Sequence, residues 1–125
     1  MKWPPAHFKG ILIVLIFFCA IRVIAQRIDD QVACEVKQLI AFVRISNCTF
    51  YRNGDWYEVG KAADHINKKY QYAQKRGLVK TAEDFIQYAA TKSSISGKPY
   101  LVQCGDESLH CAEWLRAELV QLRKR

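Results

Sequence analysis

Apolar residues run unbroken from Ile11 to Ile21, and only later in the chain do they become periodic. Val32, Val36, Leu39, Ile40 and Val43 recur at helical spacing and predict a helix ending at Ser46-Asn47, with Asp29 or Asp30 capping its start. Cys34, Ala41 and Ile45 lie opposite that stripe, which predicts a central helix covered on two sides. The period then changes. Thr49, Phe50 and Tyr51 precede Asn53-Gly54, and Trp56 and Tyr57 follow it. β-branched and aromatic residues suit a pleated surface, and Asn-Gly readily takes the positive φ angles of a type I′ turn, so this stretch predicts a two-stranded ribbon.

Helical spacing returns with Val59, Ala63, Ile66, Tyr70 and Ala73, predicting a helix over 59–74 that ends at Lys75-Arg76-Gly77. Thr81-Ala82-Glu83-Asp84 resembles a capping box and opens a third helix, with Ala82, Phe85, Ile86, Ala89 and Ala90 inward. A polar loop over 91–98 leads to a short strand over 99–104, with Pro99 at its first position, where no ladder donor is lost. Gly105-Asp106 then turns into a last helix whose Cys111, Leu115, Leu119 and Leu122 share a face. The expected fold is α+β: about four helices around a three-stranded antiparallel sheet.

The leading segment changes the picture of where the chain works. Lys2 and Lys9, the apolar run and then Val23-Ile24-Ala25 follow the basic, apolar, small-residue order of a secretory signal peptide. Residues 1–25 are therefore expected to be removed after Ala25, leaving no stable transmembrane anchor. A helix over 11–25 would also reach only ~22 Å against a hydrocarbon core of ~30 Å. Residues 26–125 then form a single exported domain. Loss of Lys2, Lys9 and Arg22 lowers the formal net charge from +7 to +4. So mild a balance, together with export, argues against a nucleic-acid partner.

Four cysteines follow the leader, and an even number in a small exported domain predicts two disulfides. A helix from Cys34 to Ile45 would carry the chain ~16 Å, while three residues retrace at most ~10 Å. Pairing Cys34 with Cys48 is thus disfavoured, and Cys48 is left with Cys104 or Cys111. The cysteines form no CxxC, and Cys104, His110 and Cys111 lack a compact four-ligand spacing, so neither metal nor cofactor is expected.

Cys48, Phe50, Arg52-Asn53-Gly54, Tyr57, Ala62-Ala63, His65 and Lys69-Tyr70 form an ordered pattern. Thr81-Ala82-Glu83, Phe85-Ile86, Ser93-Ser94-Ile95-Ser96-Gly97, Tyr100, Val102 and Cys104 continue it. This pattern, spanning about residues 36–115, resembles that of the YfeK-like proteins, a domain-of-unknown-function family of small exported proteins of Gram-negative bacteria. The resemblance implies a periplasmic location and a Cys48–Cys104 bridge, leaving Cys34 and Cys111 as an additional pair. It implies no activity.

The candidate binding residues are Arg52, Tyr57, His65, Lys69, Ser93, Ser94, Ser96 and Tyr100. His65 and Lys69 stand one turn apart on one helix flank, and Arg52 leaves the ribbon just before that helix. A serine loop closing over this flank would gather two cations, an imidazole and hydroxyls into a pocket for a carboxylate or phosphate. The same groups also serve structural ends: Arg52 can brace the turn, His65 can bond a carbonyl, and the serines can order their loop.

Catalysis finds less support. Ser94, His65 and Asp64 can be written as a triad, but Asp64 adjoins His65 on a helix, where neighbouring side chains diverge by about 100°. G-x-S-x-G, H-E-x-x-H and a phosphate-cradling glycine loop are all missing from the sequence. A pairing of His65 with Glu58 or Asp55 is the remaining acid/base arrangement. The expectation is a non-enzymatic periplasmic binding protein, an accessory, inhibitor or immunity-type factor for an envelope or secreted protein. A binder of a small anionic envelope ligand is the alternative, and a small hydrolase the third.

Overall fold

The computed structural model describes residues 7–125, so Lys2 of the expected leader lies outside the described residues. The chain divides into two units, one up to Gln31 and one from Val32 to Arg125. In the first unit every described side chain from Lys9 to Gln31 is exposed, including the apolar run. Helix α1 spans His7–Ile45. It does not begin at Asp29 or Asp30. Residues 11–45 contain neither glycine nor proline, so the backbone N–H groups around Asp30 bond to the preceding turn and need no cap. Asp30 instead accepts a hydrogen bond from Gln26 Nε2 at 3.1 Å.

In the second unit, Val36, Leu39 and Val43 are buried and Val32 and Ile40 partly so. Cys34, Ala41 and Ile45 on the opposite side are exposed, which corrects the expectation of a helix covered on both sides. This stretch is a one-sided rim helix. Ser46 Oγ bonds Val43 O at 2.7 Å and Asn47 takes φ 53°, ending the helix and turning the chain into the sheet.

Strands β1 (Thr49–Arg52) and β2 (Asp55–Tyr57) form the expected ribbon. Asn53 and Gly54 take φ of 52° and 92°, the left-handed region that the turn demands. Helix α2 (Val59–Lys75) starts on Glu58, whose carboxylate accepts from Gly60 N at 3.0 Å and Lys61 N at 2.9 Å. It ends in a Schellman arrangement, with Leu78 N bonded to Ala73 O, Gly77 N to Gln74 O, and Gly77 at φ 69°. Helix α3 (Ala82–Ala89) has the full capping box, Thr81 Oγ1 accepting from Asp84 N and Asp84 accepting from Thr81 N. Its five expected inward residues are all buried.

The C-terminal part corrects the strand count. β3 (Leu101–Gln103) is shorter than the expected 99–104, and a fourth strand, β4 (Ser108–His110), precedes helix α4 (Cys111–Leu122). The sheet is antiparallel throughout, in the order β2-β1-β3-β4. Glu107-Ser108-Leu109-His110 carries too little hydrophobic alternation to announce a strand; pairing with β3 makes it one. Phe50 and Val102 face the core, where Phe85, Ile86, Leu115 and Leu119 from α3 and α4 meet them.

A single disulfide joins Cys48 and Cys104, among the described residues. The expected second bridge is not formed: Cys34 is free on the outer side of α1, whereas Cys111 is free and buried in the core. Their side chains stand in opposite environments. Near α4, Arg123 binds both Glu35 of α1 and Glu83 of α3, a mostly exposed network that closes the helical end.

Candidate functional site

A cleft of about 390 Å³ opens between the ribbon and α2. Strand alternation places Arg52 on the same face of β1 as Phe50, and pairing of Phe50 with Tyr57 brings the Tyr57 ring alongside. The Arg52 guanidinium carbon lies 4.9 Å from the centre of that ring, within cation–π range. On α2, Lys61, His65 and Lys68 follow spacings of four and three, which put them on the flank that forms the other wall. Phe50, Ala62, Ile66 and Cys111 supply an apolar floor.

Arg52 meets His65 inside the cleft, with Nη1 2.6 Å from Nδ1 and 3.1 Å from Nε2. His65 Nε2 is 3.1 Å from the Tyr100 hydroxyl, and Lys69 Nζ donates to that hydroxyl at 3.2 Å and to Lys92 O at 2.8 Å. Burial, then the cations Arg52, Lys69 and Lys68, lower the His65 pKa to about 4, so the imidazole is neutral at ordinary pH. Burial, then Arg52, also lowers Lys69. Burial pushes the Tyr100 phenol up and keeps its proton on.

Acidic compensation is sparse. Asp64 borders the cleft, but its carboxylate pairs with Arg44 at 2.5 Å. Among the described residues, Arg52 and Lys69 form no ion pair. Glu58 is engaged in the cap of α2, and those two backbone bonds hold its carboxyl below the usual range.

Five of the eight candidates thus gather here: Arg52, Tyr57, His65, Lys69 and Tyr100. The serines do not line the cleft. Ser93 is buried and its Oγ accepts from Ile95 N at 3.2 Å and Ser96 N at 3.3 Å, folding the loop on itself. Ser96 Oγ donates to Asn53 Oδ1 at 2.5 Å, so the loop is tied to the ribbon turn. Ser94 is exposed. Lys61 is not announced by the sequence, and Lys68 reads there as a solvated surface cation, although the spacing of both from His65 is a usable signal. Cys111 could not be placed, because only the chain's return through β3 brings it to the floor.

Residues 30–123 match the model of a family described as "Family of unknown function (DUF5329)". Over 62 residues the chain is 40% identical to "Uncharacterized protein YfeK" of Salmonella typhimurium, covering 50% of each chain. It therefore spans about half the length of this curated relative. No solved structure matches it. The match over 30–123 takes in the sheet, α2, α3 and every residue of the cleft, so the chain belongs to this YfeK-like family of unknown function, DUF5329.

Proposed function

We propose that this is an exported, non-enzymatic binding protein of the bacterial envelope that captures an anionic group in the cleft between ribbon and α2. One observation carries the reading: Arg52 is half-buried in the cleft with a neutral imidazole and an aromatic ring for neighbours, and with no carboxylate partner among the described residues. A partly desolvated guanidinium without a counter-ion is costly, and an entering carboxylate or phosphate would supply one through charge-assisted hydrogen bonds. Lys61 and Lys68 at the rim add attraction for an approaching anion.

Binding is favoured over turnover by the state of the titratable groups. His65, with a pKa of about 4, is a weak base, and Asp64 is engaged by Arg44 rather than turned to the imidazole. Export is supported by the order of basic, apolar and small residues at the start of the chain, and by the Cys48–Cys104 bridge, which suits an oxidising compartment. The test is thermal melting against a panel of organic and inorganic anions. An anion at ten times its Kd adds about 1.4 kcal/mol, or roughly 6–11 °C in Tm for a domain of this size. The shift is expected to vanish in Arg52→Gln. Equal shifts in wild type and Arg52→Gln would refute the site.

A further inference from the structure

The hydrogen-bond directions around Tyr100 restrict the kind of anion the cleft accepts. Arg52 can only donate, so the nearer ring nitrogen of the neutral His65, Nδ1, is the acceptor and Nε2 carries the hydrogen. Nε2 then donates to the Tyr100 oxygen, and Lys69, which also can only donate, takes the second lone pair of that oxygen. Both acceptor positions of the phenol are filled by protein. Its own O–H has no acceptor among the described residues, and Tyr100 borders the cleft. Arg52, Tyr100, Lys61 and Lys68 therefore present donors, and the Asp64 carboxylate at the border is taken up by Arg44, an arrangement suited to a ligand group that only accepts. Beneath them lie Phe50, Ile66 and Cys111, an apolar floor that a bare inorganic ion would leave unfilled. At about 390 Å³ the cleft has the size of a pocket for a small organic molecule.

Resting on the anion-binding reading above, we infer that the ligand is an organic carboxylate with an apolar body. Its two oxygens meet the Tyr100 O–H and a free N–H of Arg52, while the body lies on Phe50 and Ile66. His65 and Lys69 are positioning residues, which fix the phenol as a donor by occupying its oxygen. The carboxylate is preferred to a phosphate ester because two neighbouring donors match two coplanar oxygens, whereas a tetrahedral dianion presents a third to the apolar floor.

The experiment compares binding isotherms of the full chain, held in lipid nanodiscs with empty discs subtracted, for acetate, butyrate, hexanoate, hexanol, hexyl phosphate and inorganic phosphate. Affinity is expected to rise roughly three- to fourfold for each methylene from acetate to hexanoate. Tyr100→Phe is expected to weaken hexanoate roughly tenfold or more and leave hexanol unchanged. Should that variant not fold, Arg52→Gln supplies the same comparison. Acetate or inorganic phosphate binding as tightly as hexanoate, with loss in Arg52→Gln, would overturn this inference and leave the anion reading standing. Hexyl phosphate binding more tightly than hexanoate would overturn the carboxylate assignment. Absence of any Arg52-dependent binding would overturn both readings.

Discussion

His65 shows how one residue's surroundings decide its chemistry. A surface histidine would titrate near neutrality, but here burial and neighbouring cations hold the imidazole neutral down to about pH 4. The unfolded chain takes up a proton near pH 6.5 and the folded chain does not, so the histidine's contribution to stability is present above that pH and lost as pH falls toward 4. Because the ring is only partly buried, solvent screening reduces the effect to on the order of 1 kcal/mol. Urea unfolding of the protein and of His65→Gln at pH 7 and pH 4.5 checks this: the wild type is expected to lose more stability between the two than the variant. Parallel losses would mean that His65 is not held neutral. The pairing of Arg52 with His65 was readable as a tendency, since both sit at the junction of ribbon and helix. The role of Tyr100 was harder to read, because its hydroxyl reaches the site only through β3, 35 residues from His65.

At the scale of elements, local chemistry was the most legible part of the chain. The Asn53-Gly54 turn, the Thr81 capping box and the Gly77 helix end all follow from backbone needs that few residues satisfy. Gly54 at φ 92° makes Gly54→Ala cost about 1 kcal/mol or more, despite open space for a Cβ. Thr81→Ala, which removes the acceptor for Asp84 N, is expected to cost about 1 kcal/mol. Chemical denaturation measures both, and a neutral Gly54→Ala would contradict the turn geometry. Two elements depart from the sequence pattern, each for its own reason. β4 owes its existence to β3, and α1 continues through Asp30 because nothing in the uncut chain stops it. The serine loop was read as a donor set. The Ser93 hydroxyl is consumed locally, a frequent outcome where a serine stands two or three residues from free backbone N–H groups, Ser96 is spent on Asn53, and Ser94 faces solvent.

For the folded unit as a whole, the Cys48–Cys104 bridge ties the entry of β1 to the exit of β3 across a sequence separation of 56. Closing a loop of that length stabilises the fold by about 4 kcal/mol in the chain-entropy account, so reduction or Cys104→Ser should lower the unfolding midpoint strongly. Peptide mapping without reduction should recover Cys48 joined to Cys104 and Cys34 unbridged; a Cys34–Cys111 peptide would contradict the outward placement of Cys34. This bridge also holds the strand bearing Phe50 and Arg52 in register with the strand that follows Tyr100. Stability and site geometry therefore share a cause. The account turns on Arg52 being a cation that awaits an anion. NMR of the ¹⁵N-labelled arginine side chains during a hexanoate titration reads that atom directly. The account predicts a saturable shift of the Arg52 resonance that tracks the binding isotherm. A stationary Arg52 resonance while the protein saturates with ligand would contradict it.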